Sequence, residues 1–231
     1  MTAPARRHIR ARAVIIDLDG TLLDTVADLA AAVNAMREEL GRSMLPEDTV
    51  RAYVGKGAEI LVHRALGEGI DARVDAGLHA RGMAAFGRHY TVFNGRFARA
   101  YPGVREGLVA MRAKGLALAC VTNKPQVFAD PLLERCGLRA HFAFVLGGDA
   151  LERRKPDPLP MRHAAQRLGV APDLVLAIGD SLNDAQAARA AGMPVLAVPY
   201  GYNEGHDVRS LDVDAIVDSL EEAASMIDVP A

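Results

Sequence analysis

The chain has 231 residues, half of them apolar, and a formal net charge of −2. That composition supplies a buried core and excludes a mostly disordered chain. The near-neutral charge argues against a general nucleic-acid binder, and no apolar run approaches the ~18 residues that cross a bilayer as a helix. Two cysteines, Cys120 and Cys136, cannot build a disulfide framework, and no CxxC or HxxxH spacing supports a zinc site. The basic stretch Arg6, Arg7, Arg10 and Arg12 lacks the apolar core of a secretory signal. It is expected to be a frayed polar tail, and the chain is expected to work in the cytoplasm as a monomer or small homo-oligomer.

Short apolar runs recur along the chain. In order they are Ala13–Ile16, Leu116–Val121, Ala143–Leu146, Leu174–Ile178, Val195–Val198 and Ala215–Val217. Runs of that length without alternation suit strands buried on both faces of a parallel sheet. Helix patterns lie between them: one opened by Pro102-Gly103 and closed by Gly115, then Gln126–Cys136, Pro160–Leu168 and Asn183–Ala191. This alternation predicts an α/β fold with a doubly wound parallel sheet.

The stretch from about Asp28 to Asn94 breaks the rhythm. Leu29, Ala32, Val33, Met36 and Leu40 follow helical spacing, Pro46-Glu47-Asp48 starts a second helix, and Ala58–Leu66 and Asp71–Phe93 continue the pattern. Gly77, Gly82 and Gly87 weaken the last segment, at about 1 kcal/mol each against Ala. The expected organisation is a core from 1–24 and 97–231 with a helical insert at 25–96.

In doubly wound sheets, ligands bind beyond the carboxyl ends of the strands. Those ends here carry Asp17-Leu18-Asp19-Gly20-Thr21, Thr122-Asn123, and Gly179-Asp180 with Asp184 one helical turn on; Lys155-Pro156 sits in a loop between. Crowded carboxylates need a cation, and hard oxygen donors without His or Cys point to Mg²⁺. One carboxylate can act as a nucleophile toward phosphorus, and a second two residues on can serve as general acid and base. Gly20 leaves room for backbone N–H groups near phosphate oxygens, and Thr122 and Lys155 add a hydroxyl and a cation for the same oxygens.

These motifs, in this order, resemble the haloacid dehalogenase superfamily. Motif one resembles Asp17–Thr25, motif two Val121-Thr122-Asn123-Lys124-Pro125, motif three Lys155-Pro156, and motif four Gly179–Asp184. The resemblance implies Asp17 as nucleophile and Asp19 as general acid/base. It implies Mg²⁺ held by Asp17, the backbone carbonyl of Asp19 and Asp180, with Asp184 supporting, and Thr122, Asn123 and Lys155 on the phosphoryl group. The insert is similar to the superfamily's C1 cap. Tyr53–Ala58, Leu146–Asp149 and Tyr200–Gly205, together with motif two, resemble the bacterial phosphoglycolate phosphatases within it.

The expected partner is thus a small phosphorylated metabolite, 2-phosphoglycolate, with neither nucleic acid nor membrane. Lys56, between Gly55 and Gly57, is the expected grip on its carboxylate. The alternatives are another small or sugar phosphate such as N-acetylmuramic acid 6-phosphate, a phosphomutase, or a non-catalytic binding module. Gly55-Lys56-Gly57 is not a phosphate-binding P-loop, because Val50 stands where the first glycine belongs and residue 57 is not Ser or Thr.

Overall fold

The computed structural model describes residues 8–230. Its strands are β1 (Ile9–Arg10), β2 (Ala13–Ile16), β3 (Leu23–Asp24), β4 (Arg99–Ala100), β5 (Ala117–Val121), β6 (Phe144–Leu146), β7 (Val175–Gly179), β8 (Val195–Ala197), β9 (Ala215–Ile216) and β10 (Ile227–Asp228). Six of them form one sheet in the order β6-β5-β2-β7-β8-β9, every neighbouring pair parallel. The helices are α1 (Val26–Glu39), α2 (Glu47–Tyr53), α3 (Ala58–Gly67), α4 (Ala76–Phe93), α5 (Val104–Ala113), α6 (Gln126–Arg135), α7 (Leu159–Leu168), α8 (Leu182–Ala191) and α9 (Leu220–Ser225).

The apolar runs are continuous because both faces of the sheet are covered. Along β2, Val14 and Ile16 join a core with Leu108 of α5, Leu132 of α6 and Leu220 of α9. Ala13 and Ile15 point the other way, into a core with Met161 of α7 and Ala187 and Ala188 of α8. Alternation of side chains along a strand forces this split, so no position of β2 can be polar without burial.

Helices α1 to α4 surround a separate apolar cluster containing Val33, Met36, Val62, Leu66 and Phe86. Helix α4 begins at Ala76 rather than Asp71, because the Asp75 carboxylate accepts from the Leu78 N–H at 3.0 Å and caps it there. Gly82, which weakens the helix by propensity, is a contact position: a Cβ there would lie 2.6 Å from Leu66 Cδ1. The chain leaves the sheet and returns side by side, since β3 and β4 pair antiparallel. Buried Asp28 of α1 fastens this junction, accepting from the Gly95 N–H at 2.7 Å and the Phe97 N–H at 2.6 Å.

Several short elements differ from the sequence reading. The two-residue pair β3 and β4 and the six-residue α9 are too short for periodicity to register. The expected polar tail is a strand by Ile9, because β1 pairs parallel with β10; Arg6 and Arg7 lie outside the described residues. Among the described residues, no helix is long and apolar enough to cross a membrane.

Helix α5 lies against α9 at Gly107, where a Cβ would meet the Leu220 carbonyl carbon at 2.4 Å and its oxygen at 2.5 Å. Helix propensity favours Ala over Gly by about 1 kcal/mol, but forcing a methyl into backbone costs about 1–3 kcal/mol. Gly107→Ala is therefore expected to lower stability by roughly 1–2 kcal/mol. A fall in the urea midpoint at unchanged slope checks this, and a more stable variant would contradict the packing.

Candidate active site

Asp17 directly follows β2, and its N–H donates to the Ile178 carbonyl at 3.0 Å, carrying the ladder one residue past the strand. The turn that follows places Gly20 at φ +89°, a conformation glycine adopts without strain. A Cβ at Gly20 would lie 2.4 Å from Asp180 Oδ2, so the missing side chain is what admits Asp180. Thr21 Oγ1 donates to Asp180 Oδ1 at 2.7 Å and the Tyr202 N–H to Oδ2 at 2.6 Å.

Asp184 sits in the first turn of α8, where it closes a capping box with Ser181. Its Oδ2 accepts from Ser181 Oγ at 2.6 Å and its Oδ1 from Lys155 Nζ at 2.6 Å. Lys155 also donates to the Val121 carbonyl at 2.8 Å and stands 2.8 Å from Asp17 Oδ1. Two carboxylates, Asp17 and Asp184, thus share one buried ammonium. Oxygens of Asp17, Asp180 and Asp184 all lie within 4.8 Å of one another.

That crowding has an electrostatic signature. Burial, then repulsion from Asp184, pushes the Asp17 carboxyl from 3.8 up to about 7 against the pull of Lys155. Burial, Asp184 and Asp17 likewise hold Asp180 well above the ordinary carboxylate range. Burial opposes the charge on Lys155, but Asp17 and Asp184 outweigh it and raise its pKa. Asp17 Oδ1 is buried with no aligned hydrogen-bond donor. A buried, mutually repelling, oxygen-only set fits a hard divalent cation, which removes the repulsion.

Asp19 stands apart from that cluster. Its Oδ1 accepts from Thr25 Oγ1 at 2.6 Å, and Lys124 Nζ lies 2.9 and 3.2 Å from its two oxygens. Thr122 Oγ1 accepts from the Lys124 N–H at 3.1 Å, which folds the loop after β5 back on itself. Asn123 Nδ2 donates to the Lys155 carbonyl at 2.9 Å and to the Gly55 carbonyl at 3.1 Å, and its Oδ1 is buried without a partner. Asn183 Nδ2 reaches the same Gly55 carbonyl at 3.3 Å. The loop between α2 and α3 is thereby seated on the sheet's carboxyl edge.

Between them lies a pocket of about 40 Å³ lined on the sheet side by Asp17, Asp19, Thr122, Asn123 and Lys124. Its roof includes Gly55 and Gly57 but not Lys56. Lys56, the expected grip on a ligand carboxylate, does not line this pocket. Lys56 Nζ pairs with Glu204 Oε2 at 3.0 Å, and buried Arg64 takes Oε1 of the same carboxylate at 2.7 Å. Glu204 belongs to the Tyr200–Gly205 loop, whose role in the site is to hold α3 through this double ion pair. The structure brings Asp17, Asp19, Thr122, Asn123, Lys155, Asp180 and Asp184 together. Lys124 joins them, although the sequence reading assigns it no role; its place one residue beyond Asn123 was the available signal.

Three comparisons show which known proteins the chain is similar to. The family model for haloacid dehalogenase-like hydrolases matches residues 11–192. A phosphoglycolate phosphatase of Nitrosospira multiformis is 54% identical over 94% of this chain and 95% of its own, and one of Thiobacillus denitrificans is 51% identical over the same shares. A crystal structure described as a predicted phosphoglycolate phosphatase from Haemophilus somnus superposes with a TM-score of 0.88 at 32% identity, covering 94% of this chain and 97% of its own.

Proposed function

The chain belongs to the haloacid dehalogenase-like hydrolases, and from that premise we propose that it is a Mg²⁺-dependent phosphatase that hydrolyses 2-phosphoglycolate to glycolate and phosphate. The observation that carries the chemistry is the meeting of Asp17, Asp180 and Asp184 at the strand ends, with Lys155 on Asp17 and Asp184 and Asp19 held separately. The substrate reading is supported by the named activity of the relatives.

Asp17 attacks phosphorus and becomes an aspartyl-phosphate as the P–O bond to glycolate breaks. Asp19 supplies the proton that the departing oxygen needs, then takes one from the water that attacks the phosphoaspartate. Lys155 holds Asp17 in line, while Thr122, Asn123 and the backbone at Gly20 supply donors to the phosphoryl oxygens. Asp17, the Asp19 carbonyl and Asp180 would hold Mg²⁺, with Asp184 supporting; when bound, it neutralises phosphoryl and carboxylate charge. Residues 25–96 act as a cap that shuts out water, its loop held by Asn123, Asn183 and Glu204. The two free cysteines are consistent with work in a reducing cytoplasm.

A panel of phosphomonoesters assayed with Mg²⁺ tests this reading, with phosphoglycolate expected to give the highest kcat/KM. Chelation is expected to silence the enzyme, Mg²⁺ to restore it and Ca²⁺ to do so poorly, because Ca²⁺ prefers a larger, looser shell. Asp180→Ala is expected to raise the Mg²⁺ concentration needed for half activity. Undiminished turnover after exhaustive chelation, or a sugar phosphate outranking phosphoglycolate, would remove the metal or the substrate assignment respectively.

A further inference from the structure

We propose that Lys124 and Tyr90 form the subsite for the substrate's carboxylate and so determine specificity; the proposal rests on the phosphoglycolate reading. Among the described residues lining the pocket, Lys124 is the one lysine or arginine. Its Nζ lies 2.9 Å from Asp19 Oδ1 and 4.8 Å from the centre of the Tyr90 ring. Tyr90 also lines the pocket, and its buried hydroxyl has no acceptor for its proton, because the Lys124 ammonium beside it is itself a donor. Lys124 and Asp19 are nevertheless near enough to bear on that hydroxyl electrostatically. A buried phenol proton without an acceptor is costly, and an anion in the pocket would supply one.

The substrate's own dimensions select this place. With phosphorus at Asp17 and the ester oxygen at Asp19, the carboxylate is one methylene further on, its oxygens about 3–4 Å beyond the ester oxygen. A cation already touching Asp19 is within that reach. The neighbouring cations Lys56, Arg64 and Arg154 pair with Glu204 and Glu59 and do not line this pocket, whereas Lys124, paired with Asp19, does. The rest of the wall around Tyr90 is apolar, with Phe86, Leu61 and Phe128, so a carboxylate placed there has no other charge partner among the lining residues. A ligand without a carboxylate leaves both donors as they are.

The test compares phosphoglycolate with 2-hydroxyethyl phosphate, which has the same chain length and no carboxylate. The intact enzyme is expected to prefer phosphoglycolate. Lys124→Met keeps the length and packing on Tyr90 but removes the charge. It is expected to lower kcat/KM for phosphoglycolate by roughly 10²-fold more than for 2-hydroxyethyl phosphate, chiefly through KM, because a desolvated charge partner is lost. Tyr90→Phe is expected to act in the same direction by roughly 5- to 10-fold, as for one neutral hydrogen bond. Competitive inhibition by glycolate should weaken in both variants. Residual turnover of 2-hydroxyethyl phosphate reports that each variant is folded. Equal losses on the two substrates would reduce Lys124 to a positioning residue for Asp19 and overturn the subsite, as would selectivity lost in Lys56→Met and kept in Lys124→Met. An intact enzyme with no preference for phosphoglycolate would overturn both the subsite and the substrate reading, a pattern distinct from the first two.

Discussion

Asp17→Asn is expected to lose phosphoglycolate turnover by a factor on the order of 10⁴ or more, the scale for removal of a nucleophile. An amide cannot form the acyl-phosphate and is a poorer oxygen donor to a cation. The fold should survive, since Asn is nearly isosteric and Lys155 keeps its 2.6 Å contact with Asp184. The variant should also reveal how the native residue behaves without metal. The Asp17 carboxyl is raised from 3.8 to about 7 in the fold, so the folded chain holds this proton more tightly than the unfolded chain. Stability contributed by that proton is full below pH 4 and is lost as pH climbs to about 7. Metal-free native protein should therefore lose stability across that window, and Asp17→Asn should lose less. Thermal melts against pH, with and without Mg²⁺, check this independently of activity. A fully active Asp17→Asn enzyme, or a phosphoryl adduct on another residue by mass spectrometry, would sink the mechanism.

Asp19→Asn is expected to lower turnover of phosphoglycolate by roughly 10²- to 10⁴-fold, the usual scale for general acid–base catalysis. The nucleophile remains, but nothing protonates the departing alkoxide. The effect is separable because Asp19's side chain takes no part in the carboxylate cluster; it is held by Thr25 and Lys124. Replacing it should leave Mg²⁺ affinity close to native. A substrate with an activated leaving group, such as p-nitrophenyl phosphate, should lose less in single-turnover phosphorylation of the enzyme, since its phenolate departs without a proton. Equal losses with both substrates in that step would count against the acid role.

Much of this molecule is legible in one dimension. Strands β2, β5, β7 and β8 are buried on both faces, so they are apolar at every position and show as runs. The carboxylates stand directly after those runs because a parallel sheet collects its strand ends at one edge, whatever the distance along the chain. Asp17, Thr122 and Asp180 could therefore be grouped before any coordinates, and helical spacing was enough to separate α1 to α4 from the core.

The local signal fails where a side chain's partner is remote and its own surroundings are not distinctive. Lys56, flanked by glycines, has the flexibility of a ligand-gripping residue, yet Glu204 holds it from the far end of the chain. Lys124 looks like one more residue of a loop until Asp19, 105 positions away, and the Tyr90 ring close around it. The Tyr202 hydroxyl accepts from the N–H groups of Thr25 and Val26 at 2.7 and 3.1 Å, and no pattern near either end foretells it. The sequence by itself determined the sheet, the insert and the acidic edge, because burial on two faces and helical amphipathicity are properties of consecutive residues. Tertiary structure alone decided which cation lines the pocket at the strand ends, because an ammonium on a long stem goes to the carboxylate that the fold brings nearest.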